Sequence, residues 1–432
     1  MRRVDAFIIG LATSVLGQPL HAAGFEVRGL VPTSLPADTT VPVAVPIPED
    51  ASAAKTLKAR LSVGDSAGVD VVLQPEGADS VSGTPARAWF AFKTSEARAG
   101  KPVVLQVVAQ DAPATKDAYA VRRNDVLVDV TTPEGKLVLS YRHGKPDPAY
   151  KYPMTSYIHP LMGLDGEVLT DCSPKDHLHH RGLFWAWVRL DQNGTSIGDW
   201  WIPRDIVLQS HGLSTAAGPV FAAFSSQHYY LYQPAAPAKQ PVKIKPGERV
   251  MDEQVVCRVF ETTDAGRAID VDLTLTALVD GLQIGGQTQL NKGYGGLTLR
   301  FGADPTHSGK TRLPKIVADG KVIEKDLNHL VASWVDWTGL FDGPDGKVLG
   351  QRSGGAVFVH PSHPPLPTSP PEWIARTYGP INVAYPGLDM LDIPRDKPLR
   401  LRYRVWIHRG EAEQAGVDGQ YRAYAADWKW SR

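Results

Sequence analysis

Asp176, His177, His179, His180 and Arg181 fall within six consecutive positions of the segment Pro174-Lys175-Asp176-His177-Leu178-His179-His180-Arg181-Gly182. Three imidazoles, a carboxylate and a guanidinium are the ingredients of general acid–base catalysis, of substrate anchoring and of metal coordination. A loop needs far fewer such groups for stability, so these five are the candidate catalytic residues. In an extended conformation His177 and His179 project to one side and His180 to the other, which lets two rings converge on one ligand while the third orients or packs. Arg181 is expected to pair with Asp176 or with a substrate oxygen, because a guanidinium beside imidazoles is usually held by a carboxylate.

A second group lies far along the chain. His360 and His363, in Val359-His360-Pro361-Ser362-His363-Pro364, can add a ligand to the His loop if a divalent metal is bound. The sequence alone assigns no metal site. Glu372, Trp373, Arg376 and Tyr378 follow in a proline-rich loop, and aromatic faces beside polar groups are how sugar rings are commonly held. Trp185, directly after the His loop, and Asp336, between Trp334 and Trp337, complete the candidate substrate-binding set. The plainer reading is a surface loop pinned by Trp373 and indoles that fill cores. The His loop and the 361–379 loop are expected to meet across one cleft, since active sites are assembled from distant loops on a rigid scaffold.

The elements that must position these groups read as β. Forty glycines and 35 prolines punctuate short alternating apolar runs in 432 residues, and helical periodicity is scarce. Residues 24–115 carry Val41 to Val45, Leu57 to Val63, Val69 to Leu73, Trp89 to Phe92 and Val103 to Val108, the strand spacing of a small immunoglobulin-like sandwich. A linker at 112–117 separates it from a second series that begins near Val126 and fills residues 120–432. There Ile269, Val271, Leu273 and Leu275 alternate with Asp270, Asp272, Thr274 and Thr276. Leu399, Leu401, Tyr403, Val405 and Ile407 alternate with Arg400, Arg402, Arg404, Trp406 and His408. The arginine face is either solvent-exposed or the floor of a concave surface. Long strands without helical crossovers suit a large antiparallel sandwich.

Residues 1–23 have the layout of a secretory signal peptide: Arg2 and Arg3, an apolar run from Ala6 to Leu16, and small residues at Ala22-Ala23. A periplasmic or secreted location is expected, with no membrane span. Lys+Arg and Asp+Glu balance at 46 each, which argues against a nucleic-acid partner. Two cysteines, Cys172 and Cys257, form no framework, and either a disulfide or two buried thiols fits. Gly194-Thr195-Ser196-Ile197-Gly198 matches the hydrolase elbow pattern but follows a turn and leads into no helix. No phosphate loop or dinucleotide fingerprint occurs.

The His loop, the runs Tyr157-Ile158-His159-Pro160-Leu161 and Gly163 to Asp171, and Gly354-Gly355-Ala356-Val357 resemble the secreted bacterial family catalogued as "methane oxygenase PmoA", over roughly residues 120 to 410. The membrane subunit that shares the name spans the bilayer several times, and this chain has no such segments, so the activity in the name does not carry over. The resemblance implies a β-sandwich similar in outline to the galactose-mutarotase-like sandwiches of sugar epimerases, glycosidases and polysaccharide lyases. The expected protein is therefore all-β, a small immunoglobulin-like sandwich before a large antiparallel one. Its expected function is a carbohydrate-active enzyme that cleaves a glycosidic bond, as hydrolase or lyase. Two other classes stay open: a metal-dependent oxidase or oxygenase at the His cluster, and a non-catalytic glycan-binding protein.

Overall fold

A computed structural model describes residues 24–79, 83–95, 98–110, 116–236, 242–302, 313–366 and 371–432. The signal-peptide reading of 1–23 and most of the 112–117 linker lie outside the described residues. Among those described, every sheet pairing is antiparallel and the chain is all-β apart from short 3-10 turns and one α-helix, Val417–Ala425. No described helix is long and apolar enough to cross a membrane.

The small sandwich follows from period-two patterning. In Thr40–Pro46 the residues Val41, Val43 and Val45 are buried and their neighbours less so, as a strand with one face on a core requires. Its seven strands run in the order Thr40–Pro46, Arg87–Lys93, Val69–Glu76, Leu57–Val63, Pro102–Gln110, Phe25–Leu30 and Lys429–Ser431. Val69–Glu76 pairs with Leu57–Val63 through its first half and with Arg87–Lys93 through its second, so one strand serves both layers. The last strand comes from the opposite end of the chain: Leu30 pairs with Lys429 and Arg28 with Ser431.

The large sandwich has two nine-stranded sheets. One runs Leu327–Val331, Glu372–Ala375, Pro380–Ala384, Gly296–Arg300, Leu183–Ala186, Tyr157–Leu161, Leu137–Arg142, Leu127–Thr131, Ala120–Arg123. The other runs Ile206–Ala217, Phe221–Tyr232, Arg249–Phe260, Arg267–Ala277, Leu399–Arg409, Ser353–Val359, Trp334–Gly339, Lys315–Ala318, Lys321–Ile323. Val271, Leu273, Leu401, Tyr403 and Val405 of the second meet Ile158, Leu183, Trp185, Leu297 and Leu299 of the first in one core. Each such side chain contributes about 1.5–3 kcal/mol through burial. The pattern motif at 194–198 is a hairpin: Thr195–Gly198 pairs with Arg189–Gln192, and Ser196 is exposed.

The arginine face of Leu399–Arg409 is the outer face of the second sheet. Beneath the α-helix, Arg404 clamps Asp270 through Nε to Oδ1 at 2.6 Å and Nη2 to Oδ2 at 3.0 Å, with the Tyr424 ring over its guanidinium. Further along, Arg400, Arg402, Asp272 and Thr274 line a cleft against the small sandwich. The two sandwiches are joined by Gln74, whose amide meets both backbone groups of Phe221 and the Val220 N–H, and by Trp89, which packs on Phe221 and Phe260. Cys172 and Cys257 are both free thiols.

Candidate functional site

The His loop is not extended. His177 N donates to Pro174 O at 3.0 Å and His180 N to His177 O at 2.9 Å, so the segment curls through two successive tight turns. Ser173, in the left-handed region at φ 58, closes the loop by donating to His180 O through its N–H and to Leu178 O through its hydroxyl. The alternation expected of a strand therefore does not apply, and residues three apart come face to face. His177 stacks on His180 with ring centroids 4.6 Å apart and planes at 14°, while His179 stands perpendicular to His180 at 4.7 Å.

The neck of the loop is fixed by the first sheet. Gly182 N donates to Asp171 O, and Arg300 N, ending strand Gly296–Arg300, donates to Gly182 O. Gly182 has φ 31, and a Cβ there would lie 2.2 Å from Ile158 O, so only glycine lets the loop pass this close to Tyr157–Leu161.

Asp176 is held from two sides. Arg300 Nη2 donates to both of its carboxylate oxygens at 3.0 Å, and His177 Nδ1 lies 2.8 Å from Oδ2. A carboxylate only accepts, so Nδ1 carries the proton, and Nε2 makes no hydrogen bond to the described residues. Partial burial raises the Asp176 carboxyl, but the His177 hydrogen bond and the Arg300 charge outweigh it and the net shift is downward. Asp176 is thus ionised at neutral pH. On its other face His177 meets the Tyr378 ring at 5.5 Å and 9°, so the imidazole is stacked between Tyr378 and His180. Tyr378 also carries Arg300 over its ring at 5.1 Å.

His179 is more enclosed, with Tyr152, Trp201 and the other two histidines around it. Burial, then the charges of His177 and Arg181, push its pKa down to about 4. His180, packed on Phe184 and Trp201, is held well below its ordinary value, by burial first. Both rings are neutral at pH 7. Tyr294 packs against Trp201 and extends this aromatic wall.

Several expected site residues lie elsewhere. Arg181 does not pair with Asp176: its buried guanidinium donates to the Leu178, His180 and Tyr152 carbonyls and sits over Tyr150, and Arg300 takes the carboxylate instead. Trp185 is fully buried in the core beside Tyr141, as a short strand covered on both faces demands. Trp373 is also fully buried, with Nε1 donating to Ala332 O, which is the plainer reading of that loop. Asp336 is fully buried on His408, 2.9 Å from Nε2. Glu372 binds His329, and Arg376 donates to Leu327 O, Ala375 O and Asn328. His360 meets Ser362, Arg402 and Tyr424, and His363 accepts from Arg402 N between Tyr385 and Tyr403. The His loop and the 371–379 loop do touch, through Tyr378 on His177, whereas the contacts of His360 and His363 share no residue with the His loop.

Arg300 was missed in the sequence. The only signal is a lone guanidinium at the end of the otherwise uncharged Gly-Leu-Thr-Leu-Arg run, whose five residues are all buried. Among the described residues no group of three or more His, Cys, Asp or Glu side chains is placed to hold a metal ion. His177 and His180 stack on each other and His179 stands edge-on to both, so the three rings do not converge on one centre.

Fold and site together define a two-sandwich β protein with an exposed carboxylate–imidazole pair set in a wall of stacked rings. The chain belongs to a family of unknown function, DUF6807, whose model matches residues 128–422 and so takes in the His loop and both nine-stranded sheets except the edge strand Ala120–Arg123 and the first residue of Leu127–Thr131. No curated protein matches it.

Proposed function

We propose that the protein is a secreted carbohydrate-active enzyme that cleaves a glycosidic bond by proton transfer at His177. The observation that carries this reading is the relay Arg300–Asp176–His177. A carboxylate fixed by a buried guanidinium orients one imidazole nitrogen, which frees Nε2 to take and return a proton, the arrangement by which a base is held in one tautomer. Tyr378, Tyr152 and Tyr294, each half-buried, supply ring surface of the kind that packs on sugars, with the buried Trp201 behind them. The resemblance to the secreted family bearing the methane-oxygenase name belongs to the same reading, through its sandwich and its His motif and not through the activity in that name.

Of the two routes, elimination suits these groups better than hydrolysis. Hydrolysis needs two carboxylates across the bond. Asp176 is the carboxylate in contact with the rings, and Asp326, nearby, is engaged by the Thr377 N–H and hydroxyl. In elimination His177 Nε2 takes the proton beside a uronate carboxyl, the C–H electrons form a double bond, and the neighbouring C–O bond breaks, its oxygen receiving that proton back from Nε2. The metal-oxidase alternative has less support, because His177 and His180 stack and His179 lies edge-on to both, so the three rings do not face one centre.

The test is incubation with uronate-containing and neutral polysaccharides, following unsaturated ends by ultraviolet absorbance and reducing ends by colour. Unsaturated product that disappears in His177→Ala supports elimination. New reducing ends without unsaturation move the mechanism to hydrolysis, and binding without cleavage, unchanged in His177→Ala, overturns the enzyme reading.

A further inference from the structure

A cleft of about 860 Å³ separates the small sandwich from the outer face of the second large sheet, and none of its lining residues belongs to the His loop. We infer that this cleft is a second saccharide site, which binds an acidic oligosaccharide between the two sandwiches. The inference rests on the proposed carbohydrate reading for the kind of ligand, and on the cleft's own chemistry for its place and charge.

The floor is a built array of ion pairs. Glu76 of the small sandwich accepts from Arg87 Nε at 2.8 Å, Trp89 Nε1 at 2.8 Å and Arg258 Nε at 2.7 Å, and Arg258 Nη1 reaches Asp272 Oδ2 at 2.7 Å. Burial would raise the Glu76 carboxyl, but these cations hold it down at about 2. The network joins both sandwiches, so the walls are fixed relative to each other.

What the array leaves over points to the ligand. Four guanidinium groups, Arg87, Arg258, Arg400 and Arg402, face the carboxylates Glu76, Asp79 and Asp272. Arg400 is exposed and makes no ion pair among the described residues, so the cationic surplus sits at the mouth. Deeper in, Gln254 is 7% exposed and its Oε1 has no partner among the described residues, although its Nε2 reaches Asp79 and Ser225 at 3.3 Å. A buried amide oxygen without a donor is costly, and a ligand hydroxyl supplies one. Gln227, Ser214, Thr215 and Thr274 add further hydrogen-bonding groups along the same walls. Hydroxyl and amide groups along the length and a free guanidinium at one end match a chain of sugars that carries carboxylates. The volume lies within the roughly 300–1,000 Å³ typical of small-molecule sites.

The experiment uses the full chain with His177→Ala, which prevents turnover, titrated calorimetrically with trigalacturonate and with neutral maltotriose. Trigalacturonate is expected to bind more tightly than maltotriose, and adding Arg400→Ala is expected to raise its Kd at least tenfold. Arg400 is exposed and its loss does not threaten the fold. A Kd unchanged by Arg400→Ala, preference for maltotriose, or no binding of either sugar overturns the proposal. If no glycan is cleaved by the wild type while Arg400-dependent binding persists, the enzymatic reading falls and the cleft stands.

Discussion

Arg300 and Asp176 are 124 residues apart in sequence, yet one guanidinium nitrogen donates to both oxygens of the carboxylate. Asp176 is partly exposed, whereas Arg300 is fully buried with Nε and Nη1 unpaired among the described residues. The guanidinium is therefore anchored in the sandwich while its partner reaches the surface, and His177 takes its orientation from the buried side.

The first prediction follows from that orientation. His177→Ala is expected to lower turnover by about a hundredfold or more, the size of a general acid–base contribution, with the fold retained. Asp176→Asn should lose activity through misorientation of the ring while substrate affinity changes less. Steady-state kinetics on the responsive glycan decide it, and full activity in both variants would remove the pair from the mechanism.

Stability gives an independent reading of the same pair. Asp176→Asn leaves a buried guanidinium without its charge partner and is expected to cost about 1–3 kcal/mol. Arg300→Met added to it should recover part of the loss, because an apolar side chain of similar length needs no partner. Denaturant unfolding of the two single variants and the double variant measures the coupling. Additive losses would mean that the two groups do not depend on each other.

Acid should weaken the fold well above the usual carboxylate range. His159, His179, His180, His228, His360 and His363 are all held below their ordinary pKa by burial, five of them near 3 to 4 and His180 well below its ordinary value. Each stays neutral in the fold while the unfolded chain takes a proton below about 6.5, so each costs stability as pH falls from about 6.5 towards 4. Glu253, pushed up to about 7, Asp199, pushed up to about 6, and Asp191, raised by burial, act in the opposite sense because they hold their protons in the fold at higher pH than in the unfolded chain, and so does His329, raised by its hydrogen bond to Glu372. Six histidines against these four groups leave a net loss. Melting temperatures between pH 7 and 4 test this, and a flat profile would contradict it.

Gly182→Ala should destabilise the protein by more than the ~1 kcal/mol typical of a point substitution, since the new Cβ meets the Ile158 carbonyl at a positive φ. Thermal unfolding measures the loss, and a variant as stable as the wild type would show that the neck of the loop can widen.

Chelation separates the remaining chemistry. Glycan cleavage by the relay is expected to continue unchanged in a strong chelator. Loss of activity restored by a divalent cation would reinstate the metal reading.

The alternating strands were legible because period-two burial is written directly into Val41 to Val45, Ile269 to Leu275 and Leu399 to Ile407. The chemistry of Asp176 and His177 was legible as composition but not as shape. The turns that stack His177 on His180 depend on backbone hydrogen bonds between residues three apart, which no side-chain pattern announces. Trp185, Trp373 and Asp336 misled for a related reason: an indole or a carboxylate has the same identity in a core as on a surface, and only the covering sheet decides. Arg300 was invisible because its partner lies on a distant loop.

The pairing of Lys429–Ser431 with Phe25–Leu30 has a consequence for biogenesis. During synthesis the small sandwich emerges first, and domains generally fold in that order. Its outer strand Phe25–Leu30 nevertheless presents an open hydrogen-bonding edge until Lys429–Ser431 has been made. An open edge is a template for pairing with other chains. Phe25–Leu30 is thus translated before the large sandwich but gains its protection against association only after the large sandwich has been made.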